Sequence, residues 1–475
     1  MADAGFKEFP IDLKKYVVPK LDPYTEKELP AATKEQILAN VQLCRDAIVS
    51  FTACGAASGY GGHTGGAYDT VPEVCLLDAM FCTKPDSFVP TFFDEAGHRV
   101  ATQYLMSALK GDIAPEELMG YRRPGMPGHP ELETPGVEFS SGRLGHVLPQ
   151  VVGVALANPG KNVIMLGSDG SNMEGNNAEA ARLAVAQNLN VKMIVDDNDV
   201  TIAGNPSSYL KGYSVANTMR GHGMKVIEIQ GEAIDDVYGA IQEAMNIDGP
   251  VAVVIHRKMA PGIGDLEGET HAHDAIPVKD AIAYLKKRDI PAAIEMLEAV
   301  PKTADPYEYK GVGKYESLRG AVADAMCNEL AKMTAEERKE RVISIDSDLE
   351  GSTGANKIRQ KYPEMHVQSG IMERGNFSAC AGFGREEGKQ GLFSTFCAFS
   401  EMVISEITHA RLNNSNVLSH FSHSGVDGMA DNTSRVVIVG SLLQEDKRCF
   451  SDCRGVIFVS CVFLFHSQNL VERLV

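Results

Sequence analysis

Residues 167–204, GSDGSNMEGNNAEAARLAVAQNLNVKMIVDDNDVTIAG, decide the predicted fold. The apolar run 161–166 before them predicts a buried strand, the Ala-rich segment 178–186 predicts a helix, and 191–195 predicts a second buried strand. A strand–helix–strand unit of this kind is the building block of a parallel sheet, whose ligands bind beyond the C-terminal ends of the strands. The sequence therefore predicts an α/β protein with doubly wound parallel sheets.

Two polar clusters fall at these predicted strand ends. Asp169 and Gly170 follow the first strand, and residues 197–200 (DNDV) follow the second. A carboxylate, a side-chain amide and a backbone carbonyl from neighbouring strand ends make an oxygen site that suits Mg²⁺ or Ca²⁺. The same residue types are common in ordinary polar turns, so spacing alone leaves a metal site and a plain turn both open.

The spacing of the Asp-Gly, Glu-Gly and Asp-Asn pairs within 169–198 resembles the thiamine diphosphate motif, and DDNDVTIAG at 196–204 resembles transketolases in particular. The usual Gly-Asp-Gly has Ser168 in first place here, and because serine is small we expect the turn to be retained. The resemblance implies that Asp169, Asn198 and the carbonyl of Val200 bind Mg²⁺, or Ca²⁺, which holds the cofactor's diphosphate, and that Gly170 and Glu174 contact the cofactor.

Histidines in glycine-rich or proline-rich turns share this resemblance, at 55–66 (GAASGYGGHTGG), 96–98 (AGH) and 127–131 (PGHPE). A lone histidine is more often structural than catalytic, and a lone glycine-rich stretch is more often a plain loop. In transketolases the matching histidines line the cofactor and substrate channel. The resemblance implies catalytic roles for His63 and for His271 in the later loop 267–273, cofactor contacts for His98, Gly142, Arg143 and Leu144, and a substrate contact for His129.

The second half of the chain carries further matches. Residues 368–374 (QSGIMER) resemble the motif whose Glu activates the cofactor, and 394–399 (STFCAF) resemble the aromatic wall around its aminopyrimidine. Two Phe at this spacing are more often core residues, and Met402 replaces an aromatic residue of the family. The resemblance implies a catalytic role for Glu373, cofactor contacts for Phe396 and Phe399, and substrate contacts for Arg319, Ser352, His423 and Asp431.

Composition narrows the class of protein. The 475 residues carry a net charge of −18, which argues against broad nucleic-acid or anionic-membrane binding, because those partners need a basic face. Ten Cys without paired metal spacing suit reduced thiols. The N-terminus has no apolar signal core, and the apolar run 455–465 is too short to span a bilayer. We expect a soluble, cytoplasmic protein.

The expected organisation has five parts. Residues 1–35 form an N-terminal arm, 36–300 the diphosphate-binding domain, 301–314 a linker, and 315–434 an incomplete pyrimidine-binding domain. The resemblance to transketolase stops near residue 434. Residues 435–475 crowd three cysteines beside an apolar run without helix period or strand alternation, so we expect an aberrant tail after a truncated family sequence.

The resemblance implies transfer of a two-carbon ketol unit from a ketose phosphate to an aldose phosphate, in a homodimer whose two copies share each active site. Three alternatives stay open. The chain could be another thiamine diphosphate enzyme, such as deoxyxylulose-phosphate synthase or a pyruvate-decarboxylating dehydrogenase component. It could be an inactive truncated paralogue that binds cofactor or a partner subunit without turnover. It could also reflect a gene-model error, with a longer natural protein.

Overall fold

The computed structural model describes residues 8–123, 125–300 and 318–423 and the backbone of 456–460; in the third of these ranges the side chains are described from residue 320 onward. The described residues form two compact units, 8–201 with 212–300 and 202–211 with the remainder. Their helices are α1 Ala31–Ala57, α2 Gly65–Asp69, α3 Val71–Thr83, α4 Val100–Lys110, α5 Val147–Ala157, α6 Gly175–Ala186, α7 Pro206–Tyr209, α8 Val215–Gly221, α9 Ile234–Met245, α10 Val278–Lys287, α11 Pro291–Ala299, α12 Leu318–Leu330, α13 Ala335–Arg341, α14 Glu350–Thr353, α15 Asn356–Lys361, α16 Glu373–Arg385 and α17 Ile404–Leu412.

Both units contain a parallel sheet, which confirms the predicted α/β class. Among the described residues the first sheet has the strand order β1-β2-β3-β5-β4 and the second has the order β10-β9-β8-β6-β7. The strands are β1 Phe93–Asp94, β2 Val163–Ser168, β3 Val191–Asp197, β4 Lys225–Gln230, β5 Val251–His256, β6 Val342–Asp346, β7 His366–Gln368, β8 Gln390–Phe396, β9 Val417–Ser422 and β10 Val456–Ser460.

Strands β2, β3 and β5 of the first sheet are buried on both faces. Along β2, Ile164 and Leu166 belong to one hydrophobic core, whereas Val163 and Met165 belong to the other. Successive side chains of a strand point to opposite faces, so near-continuous apolar runs are what a doubly covered parallel sheet requires. This burial explains why the strands of the 161–195 region show no polar alternation.

Helix α1 is the one described helix whose length and composition would allow it to cross a bilayer. However, 72% of its most apolar window is buried inside the protein, against α3, α4 and α10 among others. Packing therefore accounts for its composition. The segment before it is also part of this core, since Phe9, Ile11 and Leu21 are buried there, although the sequence suggested a separate arm.

The second unit includes residues 202–211, which the sequence analysis assigned to the first domain. The backbone N–H of Ala203 donates to Asp348 Oδ1 at 2.6 Å, and Gln368 Nε2 donates to the Ala203 carbonyl at 3.1 Å. These contacts attach the segment to the loop that follows β6 and to the end of β7.

The expected irregular tail contains a strand. Val456–Ser460 pairs in parallel with β9, from Val456 opposite Val417 to Ser460 opposite Phe421. The absence of alternation therefore did not exclude a strand here. Residues 301–317, which include the predicted linker, and the rest of the tail lie outside the described residues.

Phe393 on β8 lies at the centre of the second unit's aromatic core. It is fully buried, and its ring centroid lies 5.3 Å from that of Phe377 and 6.3 Å from that of Phe421, both in edge-to-face arrangements. Close backbone packing surrounds it, because a Cβ placed on Gly391 would lie 2.5 Å from the carbonyl oxygen of Cys380. The surrounding residues therefore have little freedom to fill a cavity left by a smaller side chain at position 393.

We therefore predict that Phe393→Ala lowers the free energy of unfolding of the second unit by about 3–5 kcal/mol. Urea unfolding followed by hydrogen exchange of the β6 and β8 amides measures this loss. Leu412→Ala is the control, because the Leu412 side chain is 71% exposed and its truncation should change stability by less than about 0.5 kcal/mol. Equal effects of the two substitutions would contradict the assignment of Phe393 to the core.

Candidate cofactor site

Asp169 lies at the carboxyl edge of the first sheet, immediately after β2. Its backbone N–H donates to the carbonyl of Asp196 on β3 at 3.2 Å. The side chain is buried; Oδ1 accepts the N–H of Gly170 at 2.8 Å, and Oδ2 has no hydrogen-bond partner among the described residues. Burial, followed by the charges of Asp197 and Asp196, raises the pKa of Asp169 well above its usual value. This carboxylate therefore has an unused oxygen in a negative environment.

The side chain of Asn198 is oriented by two carboxylates. Its Nδ2 donates to Asp196 Oδ2 at 2.9 Å and, more weakly, to Asp69 Oδ2 at 3.4 Å. Its Oδ1 accepts the N–H of Val200 at 3.0 Å, across a turn in which Asp199 has the left-handed φ of 57°. This turn keeps both Asn198 and Val200 at the end of β3. Asn and Asp are typical residues of such turns.

These residues fit a hard divalent cation. The set offers one carboxylate, one amide and one backbone carbonyl, which are oxygen donors of the kind Mg²⁺ prefers while it keeps water or phosphate ligands. No described group of three or more His, Cys, Asp or Glu side chains is arranged to hold a metal, so any metal here depends on mixed donors. A cation beside Asp169 would offset the burial and the repulsion that raise its pKa.

Ser168, which stands where the motif usually has glycine, leaves the turn after β2 closed. Ser168 Oγ lies 3.0 Å from Ser171 Oγ, and Ser171 Oγ donates to the Ser168 carbonyl at 3.0 Å. Asn172 Nδ2 donates to the same carbonyl at 2.7 Å. The hydroxyl therefore adds a hydrogen bond within the turn, which accounts for the tolerance that we expected from its small size.

Three histidines of the first unit meet near this edge. The ring centroids of His63 and His98 lie 5.2 Å apart, and the ring of the buried His273 lies 4.9 Å from the first and 4.7 Å from the second. Loss of hydration, followed by the neighbouring His273, lowers the pKa of His63 and of His98 well below the usual value, and burial lowers the pKa of His273. The cluster is therefore neutral near pH 7.

A backbone contact fixes the tautomer of His63. Its Nδ1 lies 3.2 Å from the carbonyl oxygen of His273, which can only accept a hydrogen bond. Nδ1 therefore carries the proton in the neutral ring, and Nε2 has the free lone pair.

His271 lies apart from the cluster. Its side chain is 86% exposed, and Nδ1 lies 3.4 Å from Asp274 Oδ2. The two histidines of the Thr270–His273 turn therefore have different environments: the ring of His273 lies with His63 and His98, and that of His271 is exposed. The burial of His273 could not be predicted, because two histidines separated by one residue carry no signal that tells the buried one from the exposed one.

Glycines bring the predicted loops into direct contact. A Cβ on Gly97 would lie 2.5 Å from the Cα of Gly142 and 2.8 Å from Cδ2 of His129, and a Cβ on Gly65 would overlap the carbonyl oxygen of Ala272. Only glycine permits backbones this close. The structure thus brings His63, His98, His129 and the 142–144 segment together, with Gly142, Arg143 and Leu144 half-buried. Gly170 and Glu174 lie in the turn between Asp169 and α6, and both are buried.

Several predicted residues of the second unit lie close to one another. Glu373 is the buried first residue of α16, and Thr395 Oγ1 donates to its Oε1 at 3.5 Å. The rings of Phe396 and Phe399 stack at 6.0 Å with an angle of 8°, and the ring of His423 lies 4.4 Å from Phe396. Ser352 is half-buried on α14. The side chain of Arg319 and all of Asp431 lie outside the described residues.

Because these histidines are neutral in the folded state, we expect the stability of the first unit to fall in acid. Unfolded His98 takes up a proton below about pH 6.5, whereas the folded residue resists protonation, so the unfolded state binds more protons and stability falls as pH falls through this value. We expect the wild type to lose about 1 kcal/mol more than His98→Gln between pH 6.5 and 5.5. Urea unfolding of the first unit at both pH values measures the difference. The exposed control His271→Gln should follow the wild type, and a wild type that follows His98→Gln would contradict a lowered pKa of the imidazole.

Comparisons with known proteins identify the family of this chain. Residues 60–289 match the family model described as transketolase, thiamine diphosphate binding domain. One chain of the apulose-4-phosphate transketolase of Actinobacillus succinogenes is 30% identical over 242 residues, which cover 48% of this chain and 87% of that protein. The transketolase of Halalkalibacterium halodurans is 25% identical over 409 residues, which cover 70% of this chain and 60% of that protein.

The solved structure of transketolase from Leishmania mexicana aligns with a TM-score of 0.47 and 20% identity, covering 81% of this chain and 68% of that one. The matched range 60–289 contains all the candidate residues of the first unit. This chain belongs to the transketolase family.

Proposed function

We propose that this protein binds thiamine diphosphate through Mg²⁺ and transfers a two-carbon ketol unit from a ketose phosphate to an aldose phosphate. The observation that carries the proposal is the buried Asp169, whose Oδ2 has no described partner, beside Asn198 at the carboxyl edge of the first sheet. This pair lies within the residues that match the thiamine diphosphate binding domain. Ca²⁺ could replace Mg²⁺, because the donors are all oxygens.

The first unit supplies the groups that would hold the cofactor. Asp169, Asn198 and the carbonyl of Val200 would bind the metal, and Gly170 and Glu174 would lie against the diphosphate. The backbone of the 142–144 segment would contact the aminopyrimidine, so that Arg143 can replace proline without loss of the contact. When bound, thiamine diphosphate supplies a nucleophilic carbon and an electron sink.

The histidine cluster would act on substrate oxygens. His63 and His98 are neutral near pH 7 because loss of hydration lowers their pKa values, so each can donate a hydrogen bond from one nitrogen and accept at the other. We assign the role predicted for His271 to His273, which faces the other two rings. His129, next to Gly97, would contact the substrate.

The second unit would supply the acid and the aromatic wall. Glu373 would give a proton to the pyrimidine ring nitrogen, and the stacked Phe396 and Phe399 would cover the ring and exclude water. His423 and Ser352 would bind the sugar phosphate, as would Arg319 and Asp431 by resemblance. An arginine suits this role because it binds phosphate through two parallel hydrogen bonds.

We further propose a homodimer in which each active site combines the first unit of one copy with the second unit of the other. The cytoplasm is the proposed location, because the described cysteines are all free thiols.

A second candidate function rests on one observation. The Actinobacillus succinogenes relative, 87% of which this chain covers, is named as one of the subunits of its enzyme, so this chain could instead bind cofactor within a hetero-oligomer and need a different partner chain for turnover.

Two substitutions separate binding from turnover. Asp169→Asn should weaken thiamine diphosphate binding in the presence of Mg²⁺ by about 100-fold or more, because removal of a metal ligand costs more than loss of an outer-shell partner. Glu373→Gln should retain binding and lower turnover by about 10²–10⁴-fold, because it removes one proton transfer. Titration calorimetry measures the first effect, and product formation from a ketose phosphate and an aldose phosphate measures the second.

The exposed substitutions Asp265→Asn and Glu387→Gln are the matched controls and should leave both quantities unchanged. Mixing the two inactive variants tests the shared site, since about a quarter of the wild-type activity should return if one intact site forms in each mixed dimer. Binding without turnover in the wild type would favour the hetero-oligomer candidate. Absence of binding would overturn the proposed cofactor.

The assignment of His273 has its own test. His273→Ala should lower kcat/KM by about 100-fold or more, because the buried ring lies with His63 and His98. His271→Ala should change kcat/KM by less than about twofold, because its ring is exposed and lies apart from the cluster. Steady-state kinetics of both variants measure the contrast, and a larger loss in His271→Ala would restore the original prediction.

A further inference from the structure

We propose that Glu95 is a positioning residue that holds the 142–145 loop in the geometry needed for thiamine diphosphate, although it does not itself touch the cofactor. The inference rests on the proposed function, because the loop is assigned there to the aminopyrimidine. Glu95 is fully buried in the first unit, next to β1, and neither the sequence motifs nor the mechanism above gives it a role.

The carboxylate of Glu95 joins separate segments of the site. Its Oε1 accepts the backbone N–H of Gly145 at 3.2 Å, and its Oε2 accepts Asn177 Nδ2 on α6 at 3.0 Å. Asn177 Nδ2 also donates to the carbonyl of Ser171, in the turn after Asp169, at 3.2 Å. One side chain therefore connects the 142–145 loop with the elements that follow the candidate metal ligand.

Residues 95–97 also fix the 142–145 loop through backbone contacts. The N–H of Glu95 donates to the carbonyl of Leu166 on β2 at 2.9 Å, which anchors the segment to the sheet. Two residues later, Gly97 packs on Gly142, so that a Cβ there would lie 2.5 Å from the Gly142 Cα. The loop is thus held by van der Waals contact at its start and by a hydrogen bond at its end.

Gly145 packs closely against Glu174. Its φ is 77°, in the left-handed region, and a Cβ would lie 2.5 Å from the Cβ of Glu174. Because its N–H is directed at a buried carboxylate, loss of that acceptor would leave a buried donor unsatisfied, which is costly. The hydrogen bond to Glu95 therefore determines where the end of the loop lies.

The pKa of Glu95 makes its proposed role testable through pH dependence, which a purely structural role would lack. Burial raises the pKa of Glu95 to about 7, and the hydrogen bonds from Asn177, Ser171 and Gly145 and the charge of Arg99 act against this rise. The charged groups nearby are Arg99 with its partner Asp94 on one side and Glu174 across Gly145. Ionised Glu95 accepts hydrogen bonds most strongly, so the loop should be held more firmly above pH 7 than below it.

Hydrogen exchange of residues 142–146 without cofactor tests the positioning directly, between about pH 6 and 8.5 and corrected for intrinsic exchange rates. In the wild type, protection should rise as pH increases through about 7. In Glu95→Gln, protection should be about tenfold lower at pH 8 and independent of pH, because the neutral amide accepts more weakly. The exposed control Glu138→Gln should follow the wild type.

Cofactor affinity tests the consequence. With Mg²⁺ present, Glu95→Gln should bind thiamine diphosphate about tenfold more weakly than the wild type at pH 8, as is usual for outer-shell residues, and the difference should shrink at pH 6. If Glu95→Gln fails to fold, the pH profile of protection in the wild type still decides the question, and Glu95→Asp, which withdraws the carboxylate from Gly145, supplies a charged second variant.

Equal protection of the loop in wild type and Glu95→Gln at pH 8, or a wild-type profile without a step near pH 7, would overturn the positioning role. Reduced protection with unchanged affinity would overturn the link to the cofactor. Absence of cofactor binding by the wild type would overturn the proposed function, whereas the exchange profile would still decide whether Glu95 holds the loop.

Discussion

The burial of negative charge at the carboxyl edge of the first sheet is the constraint on which this site depends. Arg257 is fully buried, forms ion pairs with Glu73 and with Asp196 at 3.3 Å, and donates to the carbonyl of Asp69 at 2.6 Å. Burial without such a partner is costly for an ionised carboxylate. Asp169 has no Arg or Lys partner among the described residues, and this asymmetry makes it the position at which a divalent cation would contribute most.

Close backbone packing adds to this charge arrangement. Glycine at 65, 97 and 142 lets separate loops approach until their main chains touch, which brings His63, His98 and His273 together. The loss of hydration that results keeps the histidines neutral and raises the pKa of Glu95. The shifted pKa values at this edge therefore have the same cause as the close loop packing. Both follow from the small size of the residues between the polar groups.

Regular structure and the placement of polar residues at the strand ends could be predicted because each depends on short segments. Apolar runs become buried strands, and polar residues at their ends meet because parallel strands share a carboxyl edge. What the sequence did not reveal depends on distant contacts. His273 differs from His271 only through its neighbours in space, residues 202–211 join the second unit through hydrogen bonds to Asp348 and Gln368, and Val456–Ser460 pairs with β9. No local pattern encodes such pairings.

Several groups that oppose folding lie where the proposed chemistry occurs. Asp169 and Glu95 are carboxylates with raised pKa values, and His63 and His98 are histidines held neutral by their surroundings. By contrast, β2, β3 and β5 contribute apolar residues to two cores on either side of the sheet. Because a cofactor that binds only the folded state stabilises it by mass action, the same polar groups that weaken the free protein would be stabilised on binding.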